Sequence, residues 1–264
     1  MKFETYEKTK YTAHLPDKNG HVHYTPEETS VWHDLLVRQE KIVAPRACDD
    51  YLQGLKILNL SKDEVPQCKE LSKSLMRVSG WTVVTVPALI SADEFFTLLS
   101  RKIFPVASFV RFREEIDYLQ EPDIFHEVFG HCPMLTNPTY ADFMERYGIL
   151  ALKAHSEDRI LLARLYWFTV EFGLINTKKG LRIYGGGILS SKNETIYALE
   201  SPTPQRLPFN GLEALRTPYR IDIMQPVYFV INNFSELYQL LDGNIQDLLD
   251  QATRLGEYPP LFAA

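Results

Sequence analysis

His126, Glu127, His131 and Cys132 fall within seven positions of the stretch EPDIFHEVFGHC (121–132), between Pro122 and Pro133. Two imidazoles beside a carboxylate are the side chains of a metal centre. On a regular α-helix each residue advances about 100°, so histidines five apart point roughly 140° away from each other. Gly130 and Pro133 offer a way out, because glycine ends helices and proline follows soon after. The reading is that the helix frays there and His131 swings back toward His126.

A third ligand stands downstream. Glu171 is the lone acid in RLYWFTVEFGL, flanked by Tyr166, Trp167, Phe168, Val170 and Phe172. An unpaired carboxylate at the edge of a core is costly, and a metal cation would meet that need. Two histidines and one carboxylate with open positions make the facial triad of non-haem Fe(II) oxygenases, and catalytic zinc uses a similar set. Ligand types leave iron and zinc open. Glu127 would serve as the base of a zinc hydrolase only in H-E-x-x-H, and the spacing here is H-E-x-x-x-H. The triple glycine 185–187 followed by Ser190 nearly spells a dinucleotide fingerprint but lacks its third glycine and its βαβ setting. It reads instead as a place of close backbone approach. Arg111, in the apolar run SFVRF, suits a carboxylate clamp or a structural pair with an acid such as Asp117.

The stretches HEVFGHCP, YWFTVEFGL and IYGGGILSS, in this order, resemble the core motifs of the pterin-dependent aromatic amino acid hydroxylases, over about Tyr24 to Phe234. The likeness is strongest to the bacterial branch that hydroxylates phenylalanine. It implies an α-rich basket with Fe(II) held by His126, His131 and Glu171, and a tetrahydropterin and O2 as cosubstrates. It also implies a pterin site at Leu89, Ile90, Phe95, Glu127, Ala163 and Tyr166. Arg111, Pro122, Trp167, Phe172, Gly187 and Ser190 would line the site for L-phenylalanine, with hydroxylation of tyrosine or tryptophan as the alternative within the family. Ala88 and Leu119 depart from the family pattern, where glycine and threonine are common.

The elements that position these residues follow from caps and periodicity. Thr25, Pro26 and Glu28 open a helix over 26–42, and a second covers 47–57. Ser61 and Glu64 suggest a cap for a third, ending before Gly80. WTVVTV (81–86) reads as a strand, Ser91 starts a further helix, and 106–112 reads as extended. Asn137-Pro138 opens a helix to about Lys153, and Ser156 caps the long helix that carries Glu171. LRIY (181–184) is a brief strand, IDIMQPVYFV is extended, and one last helix runs from Ser235 to Gly256. The class is mostly α with a few short strands (α+β), as one catalytic domain over 25–264 with an N-terminal arm over 1–24.

With 264 residues, 45% of them hydrophobic, the chain can bury a large core. Its net charge of −6 and lack of a long basic run argue against nucleic acid, and no apolar run is long enough to span a membrane. Three cysteines without CxxC spacing fit a reducing, cytoplasmic setting. Nothing resembles the long heptad helix of the animal tetramers, so a monomer or dimer is expected.

Overall fold

The computed structural model describes residues 11–87, 90–119, 121–243 and 245–262. Helix α1 (Pro26–Val43) starts where Thr25 and Glu28 cap each other reciprocally, and it buries Val31, Trp32, Leu35, Leu36, Gln39 and Val43. Helix α2 (Asp49–Leu58) lies so close to the chain after His131 that a Cβ on Gly54 would stand 2.1 Å from the Pro133 carbonyl oxygen. Helix α3 (Cys68–Ser79) begins six residues later than Ser61 as its cap suggested. Pro66 explains the difference, since it lacks an N–H and biases Val65 away from helix. The Ser61 hydroxyl instead accepts from the Asp63 N–H in a local turn.

Gly80, at φ 76°, ends α3 and feeds strand β1 (Thr82–Val86). Helix α4 (Ala92–Leu99), capped by Ser91, crosses over to β2 (Ile103–Ala107), which pairs in parallel with β1 from Thr82↔Ile103 to Val86↔Ala107. The extended run 106–112 is thus a strand only to Ala107. Helix α5 (Pro138–Lys153) is capped by Asn137 as expected. Ser156 caps nothing: a 3-10 turn, Ser156–Asp158, precedes α6 (Arg159–Tyr166).

Strands β3 (Leu174–Thr177) and β4 (Gly180–Ile183) form an antiparallel hairpin. After α7 (Gly186–Leu189) and α8 (Lys192–Glu200) come β5 (Gln205–Pro208), α9 (Gly211–Arg216) and β6 (Val227–Ile231). β6 runs parallel to both β3 and β5, giving the order β4-β3-β6-β5. The final helix is two, α10 (Ser235–Asp242) and α11 (Ile245–Leu255), parted at Gly243.

Helices dominate, as the sequence indicated, and one contiguous core draws residues from every helix from α1 to α11 except the half-buried parts of their outer faces. A small satellite of Tyr11, Ala107 and Phe109, with Leu119 against it, ties the described part of the arm to the domain. The arm is also fixed by His14 to Glu28 and by Val22 to Gln67. Among the described residues no helix is long and apolar enough to cross a membrane.

Candidate active site

The helix carrying the histidines does not fray at Gly130. It winds as a π-helix from His126 to His131 and closes with the Cys132 N–H donating to the Glu127 carbonyl, five residues back, at 3.3 Å. This i→i+5 winding places residues five apart on one side, which the α-geometry could not. The spacing itself was the overlooked signal. Pro133 has no N–H to offer the Phe129 carbonyl, and the Tyr51 hydroxyl of α2 donates to it instead at 2.7 Å. The segment bearing Glu171 repeats the device: Trp167–Glu171 is π-helical, with the Phe172 N–H donating to the Trp167 carbonyl at 2.8 Å.

Both segments aim their side chains at one point. His126 Nε2 and His131 Nε2 lie 3.1 Å apart, and Glu171 Oε2 stands 3.7 Å and 3.3 Å from them. Among the described residues this is the one trio of His, Cys, Asp or Glu side chains with metal-holding geometry. His131 is 3% exposed, while His126 and Glu171 keep 20% and 15%, so the cluster opens on their side.

The donor set fits a divalent cation. His126 Nδ1 is 2.9 Å from Ser190 Oγ, which lies 3.4 Å from the Gly187 carbonyl. A Ser190 hydroxyl donating to that carbonyl accepts from Nδ1–H, which leaves the Nε2 lone pair turned to the centre. Burial pushes His126 down to about 4 against the pull of Glu171, so the ring is neutral near pH 7. Burial alone would raise Glu171, but His131, whose imidazole this carboxylate raises in turn against the opposing effect of burial, outweighs it and holds the carboxyl at about 2. His126 as a neutral imidazole and Glu171 as an ionised carboxylate are in the forms a metal binds, and His131 would release its proton to a bound cation.

The triple glycine packs against these ligands. A Cβ on Gly186 would lie 2.4 Å from the His131 ring, and one on Gly187 would lie 2.8 Å from Glu171 Oε2. The close approach expected from the sequence is therefore to the candidate ligand side chains His131 and Glu171. The glycines open α7 in place of a strand bulge.

Arg111 pairs with Asp123 and not with Asp117, which bonds Arg38 and Lys192. Its Nε and Nη2 donate to the two Asp123 oxygens at 2.9 Å each. Asp123 is fully buried and also accepts from the Arg111 and His126 N–H groups at 3.1 and 3.0 Å. Burial would raise its carboxyl, yet the Arg111 guanidinium and these backbone donors hold it below the usual range. Sequence reasoning missed Asp123, although an acid three residues before His126 has the spacing of an N-cap. The structure gives Arg111 Nη1 no partner among the described residues.

Around the trio, Trp167 leans on Phe172 at 4.4 Å between ring centroids, and Tyr219, also missed, stacks on Trp167 at 4.3 Å. Pro122 is half-buried one residue before Asp123. Phe95 is 4% exposed and meets Tyr166 edge-on at 5.6 Å, with Ala163 buried on the same helix as Tyr166 and Ile90 half-buried against the core. Leu89 and Ala88 lie outside the described residues. Glu127 is pushed up to about 8, chiefly by burial, with Glu171 and Asp123 adding and His131 opposing.

The model of the biopterin-dependent aromatic amino acid hydroxylases matches residues 3–253. The chain belongs to that family. The match reaches beyond the stretch from Tyr24 to Phe234 at both ends. The phenylalanine-4-hydroxylase of Pseudomonas aeruginosa is 54% identical over 96% of this chain and 97% of its own. A solved phenylalanine hydroxylase from Legionella pneumophila superposes with a TM-score of 0.94 at 52% identity, covering 96% of this chain and all of that one. The Chromobacterium violaceum enzyme solved with bound Fe(III) gives a TM-score of 0.88 at 44% identity, over 93% of this chain and 89% of that one. Membership in this hydroxylase family removes the zinc-hydrolase alternative and agrees with the broken H-E-x-x-H spacing.

Proposed function

We propose that the chain is a phenylalanine 4-monooxygenase, converting L-phenylalanine to L-tyrosine with O2 and a tetrahydropterin at a non-haem Fe(II) site. The observation that carries the reading is the convergence of His126, His131 and Glu171 from two π-helical segments, in a family member about half identical to phenylalanine hydroxylases along nearly its whole length. When bound, ferrous iron and the reduced pterin supply the activation of O2, one oxygen atom passing to the ring and the other to the pterin.

The protein's own part is to bind, orient and exclude water. Arg111, braced by Asp123, offers its remaining Nη1 edge to the substrate carboxylate. Trp167, Phe172 and Pro122 border the substrate ring, and Gly187 and Ser190 complete the wall beside the ligands they support. Leu89, Ile90, Phe95, Ala163 and Tyr166 form the pterin side. Glu127, with its carboxyl near 8, can hold a proton close to that site at neutral pH. Residues 25–264 are assigned to the catalytic domain and 1–24 to an arm, in a cytoplasmic monomer or dimer.

Product analysis with phenylalanine, tyrosine and tryptophan offered together tests the reading. Tyrosine formed from phenylalanine, dependent on ferrous iron and reduced pterin, is the expected result. Dominant hydroxylation of either other amino acid would reassign the substrate within the family.

A further inference from the structure

The loop 217–226 joins α9 to β6 and passes over the aromatic rings beside the metal ligands. Its crown is exposed at Asp222 and Met224, while Thr217 and Gln225 at its ends are buried. Tyr219 from this loop lies on Trp167 with the two planes 13° apart, and edge-on to Phe168 at 6.3 Å. Stacking alone leaves the indole free to slide in its plane.

Gln225 removes that freedom. Its Oε1 accepts from the Trp167 indole N–H at 3.0 Å, and its Nε2 donates to the carbonyls of Arg220 and Ile223 at 2.9 and 3.0 Å. Its backbone N–H donates at 3.1 Å to Glu194 Oε1 of α8, which also accepts from the Tyr228 hydroxyl of β6. Gln225 is 1% exposed and Glu194 5%, so water does not compete for these partners. A carboxamide alone among side chains offers an acceptor on one atom and two donors on its neighbour in one plane. Turned over, it would set an NH2 against the indole N–H and an oxygen against two carbonyls, so the arrangement admits one orientation.

We propose that Gln225 is a positioning residue for the substrate-ring pocket, its carboxamide latching the 217–226 loop to the Trp167 indole and so fixing the plane of the Trp167–Phe172 pair. The assignment rests on the phenylalanine-hydroxylase reading and on Trp167 and Phe172 bordering the substrate ring. Trp167 is four residues before Glu171 on the same π-helical segment, so a loosened indole disturbs the ring wall without removing any ligand.

The test is Gln225→Met, similar in length and apolar. In 15N-labelled, zinc-loaded protein, with the Trp167 indole signal assigned through Trp167→Phe, indole hydrogen exchange at Trp167 should quicken about tenfold or more. Trp32, whose indole N–H donates to the Ser61 carbonyl at 2.8 Å, is the internal reference and should not change. With iron and pterin, KM for phenylalanine should rise about tenfold while KM for the pterin stays within about twofold. In the Trp167→Phe background the same change should add less than about threefold, because the bond is already gone. Unchanged Trp167 exchange, equal movement of both KM values, or an equal effect in both backgrounds would overturn the latch.

If Gln225→Met does not fold, Gln225→Glu decides the matter. It keeps the indole acceptor and loses both donors, so indole protection should survive while KM for phenylalanine rises, and loss of protection would overturn the proposal. A wild-type chain that forms no tyrosine refutes the functional reading instead, and the exchange experiment shows the two failures apart.

Discussion

Glu171 decides the metal centre, because its charge is the one anionic donor in the trio. Glu171→Gln keeps the size of the side chain and removes the charge. Ferrous affinity should fall by at least about 100-fold, with tyrosine formation lost and the circular-dichroism spectrum unchanged, since even outer partners of metal ligands are worth 10–100-fold. Zinc-loaded wild type should be folded and inactive, because zinc has no redox chemistry. Full turnover in the variant or the zinc form would sink the mechanism. Arg111 carries a second residue-scale expectation. From sequence, Arg111→Lys would weaken substrate binding and spare the metal. The structure links the two through Asp123, which grips the guanidinium with both oxygens and caps the His126 N–H. Lysine cannot make the fork, so KM for phenylalanine should rise by the equivalent of about 1–3 kcal/mol, and iron titration should show a smaller, measurable loss of affinity. An unchanged KM would remove Arg111 from the substrate clamp.

Among the elements, α7 bears most directly on the ligands, since its first glycines lie against the His131 ring and the Glu171 carboxylate. Gly186→Ala should therefore cost metal binding although alanine is the better helix former, as the added methyl has nowhere to go but into the imidazole. Isothermal titration with ferrous ion or cobalt checks this, and wild-type affinity in the variant would show that α7 can move aside. Element legibility divides along the same physical line. Caps are local, so α1, α4 and α5 could be read from Thr25, Ser91 and Asn137. The start of α3 was misread because Ser61 and Glu64 imitate a cap upstream of Pro66. β3 and β5 went unread because four-residue strands earn their place by pairing with β6, whose partner residues lie 56 and 22 positions further on. The grouping of His126, His131 and Glu171 was legible from residue types. The π-winding that assembles it was not, because the two turns were judged against α-helical angles.

At the scale of the whole molecule, buried polar groups tie distant parts of the chain. Gln39 of α1 donates to the Leu189 carbonyl and the Thr195 hydroxyl, and Glu194 joins α8 to β6 and to the loop over the rings. Burial raises the Glu194 carboxyl, with the Tyr228 hydroxyl and the Gln225 N–H opposing. The folded chain thus holds this proton more tightly than the unfolded one. The stability it lends is full below the unfolded-state value and drains as pH rises through the folded one. Glu194→Gln keeps an acceptor oxygen without the charge. Its Tm should exceed that of wild type at about pH 8, and the difference should close by about pH 4, below the usual carboxylate value. Calorimetry at the two pH values checks the sign; a variant less stable at both would show that the amide cannot replace the carboxyl against Tyr228. None of this network was legible in the sequence, since Gln39, Glu194 and Gln225 look like ordinary polar residues until the fold surrounds them.

The π-helical winding between His126 and His131 also means that the metal site is encoded in a count of residues as well as in their identities. Loss of a single codon for Val128, Phe129 or Gly130 would leave both histidines and both glutamates in place and let the turn relax to α. It would also leave H-E-x-x-H, the spacing that sets two imidazoles four apart on one helix face for zinc. One in-frame deletion therefore separates this centre, in the space of sequences, from the helix signature of a different class of metal chemistry.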